Sequence, residues 1–185
     1  VDVRPKIING KIIWSGGPSL KQQFSLPHSI MYYMAKNPST STSYLKLIQS
    51  CKYFFEKNPI IVVNTMGEIH LCSNDEYACE ENENKCCVYP DYFAIPKFWI
   101  IHDLQLYNNA VHIPDFTSFL RPKLFRSEVL FLTIVDKTVY FDDFVLLAGC
   151  AKLVDLRSVE MIHEDGSVVM LEEIIDVIPN VVDFY

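Results

Sequence analysis

The chain has 185 residues, 50% of them hydrophobic, which is enough material for one sizeable core or two small ones. Its formal net charge of −7, with no basic stripe along the sequence, argues against a nucleic-acid-binding surface. No run approaches the about 18 apolar residues of a membrane span and no secretory signal pattern opens the chain, so we expect an intracellular protein, cytoplasmic or nuclear.

Residues 1–24 are predicted to form an N-terminal tether. A short β-like run, Lys11 to Trp14, precedes Gly16-Gly17-Pro18, and Trp14 is the side chain expected to pack against a neighbouring part of the chain. The first residue is Val rather than Met, so we expect the natural protein to begin further upstream.

Residues 25–59 are predicted to form three short helices. The helical rhythm begins after Leu26-Pro27, breaks at Asn37-Pro38, resumes at Tyr44 and stops at Asn58-Pro59. A unit this small buries little of its own surface, and its exposed apolar residues would be a liability unless a partner covers them. The alternative is that these side chains pack into the segment that follows, and the candidates are Ile30, Tyr33, Leu47, Phe54 and Phe55.

Residues 60–97 are predicted to contain a β-hairpin and a loop. Two β-rich runs, 60–63 and 68–72, flank a turn at 64–67, and the acidic segment 73–90 is expected to be a mobile loop. Four cysteines lie in this region: Cys72, Cys79, Cys86 and Cys87. Their spacing lacks a C-x-x-C pair, so we expect reduced thiols with no metal and no cofactor, and a zinc site or a disulfide remains the alternative. Cys51 and Cys150 lie in apolar helical contexts and are predicted to be small core residues.

Residues 98–185 contain a repeating pattern. Runs with an L-x-x-L-x-L skeleton start at Ile101, Val129, Leu153 and Val181, at nearly even intervals along the chain. This spacing is typical of leucine-rich repeats. The predicted fold is therefore a mixed α/β chain, with a short helical unit followed by an irregular β/α solenoid of leucine-rich-repeat type. An ordinary βαβ domain with accidental spacing is the alternative.

The segments between these runs are predicted to be helices. One begins at an N-cap supplied by Asp142 or Asp143, with Phe144, Leu147 and Ala148 facing the core. The other has four apolar residues on one face, namely Leu171, Ile174, Ile175 and Ile178. The last run starts at Val181 with no capping segment after it, so we expect the chain to be truncated here and the repeats to continue beyond Tyr185.

One face of the predicted strands is a candidate partner-binding surface. Leucine slots point into the core, and the alternate slots point to the opposite surface. The predicted partner-binding residues are Asp103, Gln105, Tyr107, Phe131, Thr133, Val135, Asp155 and Arg157, continued by Val159, Asp183 and Tyr185. Tyr107, Phe131 and Arg157 belong to the types enriched at binding hot spots.

The helical stretch resembles an F-box. Leu26-Pro27 supplies the opening, Ile30, Tyr33 and Met34 a first apolar face, Tyr44, Leu47 and Ile48 a second, and Ser50 to Phe54 the closing element. Two departures are His28-Ser29, where an acidic residue is common, and Phe54, where Trp is usual. The stretch is similar to the divergent F-box proteins of nematodes. The resemblance implies that a Skp-type adaptor binds through Leu26, Pro27, Ile30, Tyr33, Leu47, Cys51 and Phe54.

An F-box followed by leucine-rich-type repeats is similar to the substrate receptors of cullin–RING ubiquitin ligases. The resemblance implies a non-catalytic subunit that holds a protein substrate through its repeats. A repeat scaffold with no role in ubiquitin transfer is the alternative. Acid–histidine neighbours occur only at His102-Asp103 and His163-Glu164, and neighbours on a strand point to opposite faces, so we expect no catalytic pair and no enzyme activity.

Overall fold

The computed structural model describes residues 6–8, 11–13, 23–67, 71–72, 87–88, 96–107 and 120–185. The chain divides into two compact units, Val1–Ile60 and Ile61–Tyr185. The sequence-based boundary after residue 59 lies one residue before this division. Within the predicted tether, β1 (Lys6–Ile8) and β2 (Lys11–Ile13) form an antiparallel pair, and Trp14 lies outside the described residues. Among the described residues, no helix combines the length and the apolar character needed to cross a membrane.

Among its described residues, the first unit also contains three helices: α1 (His28–Lys36), α2 (Ser41–Ser50) and α3 (Lys52–Lys57). Pro27 precedes α1, where its missing N–H costs no helical hydrogen bond. The Thr40 hydroxyl caps α2 by accepting a hydrogen bond from the Ser43 backbone N–H at 3.1 Å. The core of this unit consists of Met31, Ala35, Cys51 and Phe54.

Tyr44 and Asn58 tie the helices to the segment that leaves them. The Tyr44 side chain is fully buried, and its hydroxyl donates to the Asn58 carbonyl at 2.7 Å and accepts from the Ile60 N–H at 3.0 Å. The Asn58 side chain in turn donates to the Ala35 carbonyl at the end of α1. Tyr44 was predicted to lie on the second apolar face of the helical stretch, and the structure places its ring inside the unit, where the hydroxyl satisfies buried backbone groups.

The second unit is a mixed α/β fold with a mostly parallel sheet. Its strands are β3 (Ile61–Met66), β4 (Leu71–Cys72), β5 (Cys87–Val88), β6 (Phe98–Tyr107), β7 (Leu124–Ser127), β8 (Phe131–Val135), β9 (Thr138–Tyr140), β10 (Leu153–Arg157), β11 (Glu160–Ile162) and β12 (Asp183–Phe184). The main sheet has the order β12-β10-β8-β6-β3-β4-β5, and β7 pairs with the first part of β6. The strands from β12 to β3 run parallel, whereas β4 and β5 are antiparallel additions.

The two predicted β-rich runs pair as the antiparallel strands β3 and β4. Strand β3 continues to Met66, so residues 64–66, which were predicted to turn, lie in the strand. Thr65 pairs with Cys72, and Cys72 is also the backbone partner of Cys87. Cys79 and Cys86 lie outside the described residues, as does most of the predicted acidic loop.

Two consecutive units of the sheet repeat with a constant offset. Strand β8 pairs with β10 without a break in register, from Phe131↔Leu153 to Val135↔Arg157. Strands β9 and β11 form a separate parallel pair, and Thr138↔Glu160 has the same separation in sequence as Phe131↔Leu153. Asp136 and Ser158, which both have a positive φ of 52°, are separated by that offset as well. Residues 131–152 and 153–182, here called the first and the second coil, therefore have closely similar strand geometry.

The helices α4 (Phe141–Ala148) and α5 (Leu171–Asp176) follow β9 and β11. Helix α4 begins directly after β9, whereas residues 163–170 separate β11 from α5. This insertion is a tight turn, in which the Gly166 N–H donates to the His163 carbonyl and the Asp165 carboxylate accepts from the Ser167 N–H and hydroxyl.

The inserted turn lengthens the second coil. Val154 of β10 pairs with Leu132 on one side and with Phe184 of β12 on the other. The stretch of chain from Val154 to Phe184 is longer than the stretch from Leu132 to Val154, and residues 163–170 account for the difference. The strands therefore stay paired although the coils differ in length.

A single apolar core joins the strands to these helices. Phe144 and Leu147 of α4, and Ile174 and Ile178 in and after α5, belong to one cluster with the inward strand residues. Leu171 and Ile175, which were predicted to share that face, are 55% and 53% exposed. The short helix α5 presents Ile174 and Ile178 to the core, and Leu171 and Ile175 lie on an adjacent face.

The start of α4 also differs from the sequence prediction. Asp142 and Asp143 lie in its first turn, and Tyr140, not an aspartate, is the N-cap residue. Asp143 is almost fully buried and accepts a hydrogen bond from the Arg121 guanidinium at 2.9 Å. The negative charge in the first turn is favourable for the helix dipole, so Asp143 stabilises the helix from inside the first turn and also meets a cation.

The buried hydroxyl of Tyr44 should make the free energy of unfolding depend on pH in the alkaline range. Burial raises the pKa of Tyr44 to about 12, and the hydrogen bond from Ile60 opposes this only partly. Because the unfolded phenol titrates near pH 10, the folded state holds its proton more tightly, and stability should fall between about pH 10 and 12 by on the order of 3 kcal/mol. Denaturant unfolding at pH 9 to 12 should show this loss in the wild type and a smaller slope in Tyr44→Phe. At pH 7 the variant should already be less stable by about 1–3 kcal/mol, because it leaves backbone groups of Asn58 and Ile60 unpaired. Equal pH slopes for the two proteins would contradict the buried phenol.

Two glycines give a matched test of the inserted turn. Gly166 has a φ of +83° with no atom within 4 Å of an added Cβ, so Gly166→Ala should cost about 1 kcal/mol through backbone strain alone. Gly149 has a right-handed φ of −55°, and its added Cβ would meet only the Val145 carbonyl at 3.7 Å. Gly149→Ala should therefore be neutral or stabilising by up to about 1 kcal/mol. Urea unfolding of both variants measures the difference, and an equal effect at the two positions would contradict the turn geometry.

Candidate functional site

The eight residues predicted to bind a partner lie on one face of β6, β8 and β10. Backbone pairing arranges this face, here called the outer face, in three rows: Asp103–Phe131–Leu153, Gln105–Thr133–Asp155 and Tyr107–Val135–Arg157. The rows between them, Leu104–Leu132–Val154 and Leu106–Ile134–Leu156, belong to or pack against the core. The alternation along each strand therefore separates the two faces.

The phase of the third strand needs correction. The sequence pattern predicted Leu153, Leu156 and Ser158 in the leucine slots. The pairing places Val154 beside Leu132 instead, and Ala151 and Val154 are fully buried. Leu153 thus joins the outer face, and Val159, assigned to that face, lies beyond β10 and packs against the core. A shift of two residues preserves the alternation, which is why Asp155 and Arg157 still lie on the outer face.

Asp155 fixes the orientation of the Arg157 side chain on the outer face through two hydrogen bonds. Its Nε and Nη2 atoms donate to the two carboxylate oxygens of Asp155 at 2.9 and 2.6 Å. The Asp155 hydrogen bond and then its charge raise the pKa of Arg157, and Tyr107 contributes in the same direction. The Arg157 side chain is 70% exposed, so the pair orients a guanidinium at the surface without adding much stability.

A histidine, an aspartate and an aromatic ring meet in the first row. His102 Nδ1 lies 3.1 Å from Asp103 Oδ2, and the His102 ring is 4.9 Å from the Phe131 ring. The expectation that these neighbours point to opposite faces is wrong, because the register of β3 and β6 shifts at this point and the strand bulges. Thr65 donates to the same Asp103 oxygen at 3.3 Å. Both contacts end on one carboxylate oxygen, so the effect of this arrangement is to orient the His102 ring.

The second acid–histidine neighbour of the sequence behaves differently. His163 pairs with Glu173, at 3.2 Å between Nε2 and Oε2, and not with the adjacent Glu164. The Phe141 ring also packs edge-on against His163, at 5.3 Å between centroids. Glu173 Oε1 accepts from the Met170 N–H, so these contacts attach the inserted turn to the start of α5. This is a structural role.

An aromatic and cationic cluster at the start of β6 was missed by the sequence analysis. The Arg126 guanidinium lies 4.7 Å from the centroid of Trp99, and the Trp99 and Phe125 rings are 5.4 Å apart. Lys97 approaches the other aromatic ring of the cluster, Phe125, at 5.8 Å. Trp99 is fully buried, so the cluster packs the beginning of the sheet. The pairing of Trp99 with Arg126 depends on strand register, which the separate sequence segments do not reveal.

The helical unit exposes an apolar row on α1 and on the residues just before it. Leu26, Ile30 and Tyr33 are 47%, 46% and 65% exposed, and Pro27 is exposed beside them. Leu47 of α2 is half-buried against the core of the unit. Tyr32, also exposed, was not included in the predicted face.

Two of the predicted adaptor contacts do not lie on this surface. Cys51 is 8% exposed and Phe54 is 3% exposed, and both belong to the core where the three helices meet. The Cys51 sulfur also accepts the Tyr53 N–H at the start of α3. Their assignment as contact residues is therefore corrected to a packing role.

A cavity of about 420 Å³ opens between α1 and α2. It is lined by Met34, Asn37, Pro38, Ser39, Ser43, Lys46 and Leu47. Lys46 is the titratable side chain in this lining, so no acid–base pair is formed by the described residues around the cavity. In the part of the chain that the structure describes, no three His, Cys, Asp or Glu side chains are grouped so that they could hold a metal ion.

Comparisons of the chain with protein-family models, with curated proteins and with solved structures found no match. The function is therefore inferred from the two surfaces described above, the outer face of the sheet and the apolar row of α1. Folds of this kind carry many activities, so residues and their geometry decide between them.

Adjacent residues on β8 give a matched test of the outer face. Phe131 is 37% exposed, whereas its neighbour Leu132 is fully buried in the core. Leu132→Ala should cost about 2–5 kcal/mol of unfolding free energy. Phe131→Ala should cost about 1 kcal/mol or less, since its ring is partly exposed and packs at a tilt against the His102 ring. Denaturant unfolding of the two variants measures the difference, and a larger loss for Phe131→Ala would show that the two faces are exchanged.

Proposed function

We propose that this protein is a substrate-receptor subunit of a cullin–RING ubiquitin ligase. In this proposal the helical unit belongs to the F-box family and binds a Skp-type adaptor, and the second unit is an irregular solenoid of leucine-rich-repeat type that binds a protein substrate. The receptor carries out no chemistry and needs no cofactor. It raises the effective concentration of the substrate beside the ubiquitin-carrying enzyme.

The observation that carries the proposal is the exposed apolar row of Leu26, Ile30 and Tyr33. Ile30 and Tyr33 lie one turn apart on α1, the spacing of a helix face that docks against an apolar partner helix, and Leu26 is a further exposed apolar side chain just before the Pro27 N-cap. The row is outside the small core of Met31, Ala35, Cys51 and Phe54, so it contributes little to the fold of its own unit. A partner that covers it would gain burial without disturbing that core.

The outer face supports a binding role for the second unit. It offers Tyr107 and Phe131, each more than a third exposed, beside the oriented guanidinium of Arg157. Aromatic and arginine side chains dominate the energetics of protein interfaces. The constant offset between two coils, in both strand pairs, supports the solenoid assignment.

A repeat scaffold with no role in ubiquitin transfer is the second candidate. The outer face supports the repeat scaffold as much as the substrate receptor, because binding at that face does not depend on what the helical unit binds. The burial of Cys51 and Phe54 also reduces the number of side chains available to an adaptor. The two candidates differ in adaptor binding alone.

A binding titration with a purified Skp-type adaptor separates the candidates. The variant Leu26→Ala/Ile30→Ala should weaken binding at least tenfold, because two exposed anchors are lost, while leaving the melting temperature nearly unchanged. Pro27 is left in place because it starts α1. Val182→Ala, which truncates a 78% exposed side chain of the second unit, is the matched control and should bind as the wild type does. Absence of wild-type binding, or equal binding by the double variant, would reject the adaptor role and leave the scaffold.

A further inference from the structure

The helical unit carries a charge opposite to that of the chain as a whole. Residues 23–60 contain four lysines, Lys36, Lys46, Lys52 and Lys57, and one acidic residue, Glu56, for a net charge of +3. The whole chain has a net charge of −7, which leaves −10 for the remaining residues. A surface of this unit therefore favours an acidic partner locally, although the protein is acidic overall.

Two of these lysines are organised by tyrosine rings. On α1 the Lys36 ammonium lies 5.8 Å from the centroid of the Tyr32 ring, and on α3 the Lys57 ammonium lies 5.6 Å from the centroid of Tyr53. Both pairs have the i, i+4 spacing that brings side chains together on a helix. A ring beneath an ammonium group restrains its position and leaves N–H donors directed outward.

His28 connects the two pairs across the helices. Its Nε2 lies 3.4 Å from the Tyr53 hydroxyl, and the two rings meet edge-on with 6.0 Å between centroids. His28 and Tyr32 lie one turn apart on α1, so the His28 contact with Tyr53 joins the pair on α1 to the pair on α3. His28, Tyr32, Lys36, Tyr53 and Lys57 thus form one continuous surface, here called the Tyr–Lys face.

The Tyr–Lys face is adjacent to the apolar row but distinct from it. Positions 28, 32 and 36 follow one line along α1, and positions 30 and 33 follow another, with Leu26 just before the helix. Lys36 and Tyr32 are exposed, so the face is accessible to the same partner that reaches the row. A partner helix on the row would bring its flanking residues beside the two ammonium groups.

We propose that the Tyr–Lys face binds an acidic protein segment, rich in Asp or Glu, carried by the partner that docks on the apolar row. This inference rests on the proposed function for the identity of that partner. Carboxylates would accept charge-assisted hydrogen bonds from Lys36 and Lys57, with the phenols of Tyr32 and Tyr53 as further donors. A nucleic acid fits less well, because only two lysines are arranged here and the rest of the chain repels a polyanion.

A decaglutamate peptide tests the face without the adaptor. We expect NMR titration of the full chain in 50 mM salt to shift the amides of residues 28–36 and 53–57. Lys36→Glu and Lys57→Glu should each weaken binding about threefold or more, and the double variant about tenfold, since each change reverses a contacting charge. Lys46→Glu is the matched control, because it makes the same charge change on an exposed lysine of α2 outside the face, and its affinity should stay within about twofold. Thermal unfolding confirms that each variant is folded.

Several results would overturn the inference. Equal losses in Lys46→Glu and Lys36→Glu would show only diffuse attraction, and the absence of shifts at the face would show no site. Tighter binding of a ten-residue oligouridylate to the same residues would assign the face to nucleic acid instead.

An adaptor titration then separates this inference from the proposed function. We expect Lys36→Glu/Lys57→Glu to weaken adaptor binding about tenfold in 50 mM salt, and much less in 300 mM salt, where screening is stronger. If Leu26→Ala/Ile30→Ala abolishes adaptor binding and the lysine variant does not, the adaptor role stands and the acidic contact falls. If the wild type binds decaglutamate at the face but binds no adaptor, the proposed function fails and the acidic partner is a different protein.

Discussion

The in-register parallel pairing of β6, β8 and β10 determines which side chains this protein buries and which it presents. Leu104, Leu132 and Val154 align in one inward row, and the residues that precede them align in an outward row. Any slip by one residue would exchange the two faces, so burial of the inward row fixes the register. The outer face is then a direct consequence of the core, and its aromatic and charged groups need no separate structural element to hold them.

The helical unit follows a different principle, because its few core residues are supplemented by buried hydrogen bonds. Tyr44 and Asn58 form hydrogen bonds with backbone groups of Ala35, Asn58 and Ile60. Both side chains are neutral, so these hydrogen bonds depend little on salt concentration. Such a unit stays small while leaving most of α1 free. That freedom allows one helix to present an apolar row on one line and tyrosines with lysines on another.

Much of the second unit was predictable from alternation and spacing alone. The runs beginning at Ile101 and Val129 predicted the alternation of β6 and β8 correctly from Leu104 and Leu132 onward, although β6 begins earlier, at Phe98, and Ile100 rather than Ile101 is fully buried. The third run was placed wrongly because Ala151, a small residue, fills the first slot, while Leu153 beside it has the more typical side chain. The helix start near Asp143, the bulge that brings His102 onto Asp103, and the pairing of Arg126 with Trp99 depend on contacts between distant segments, which a single sequence does not display. For the helical unit, the prolines predicted where helices end. Helical periodicity did not separate the buried Cys51 and Phe54 from the exposed Leu26 and Ile30.

The turn at residues 163–170 has a consequence for how the chain tolerates change. It lengthens the connection between β11 and α5, yet β10 and β12 still pair in parallel beside it. Length variation is thus absorbed on the helix side of the coil, away from the outer face. Segments can be gained or lost there while the outer face keeps the same spacing, and the same turn is a natural place to insert a tag or a fluorescent reporter.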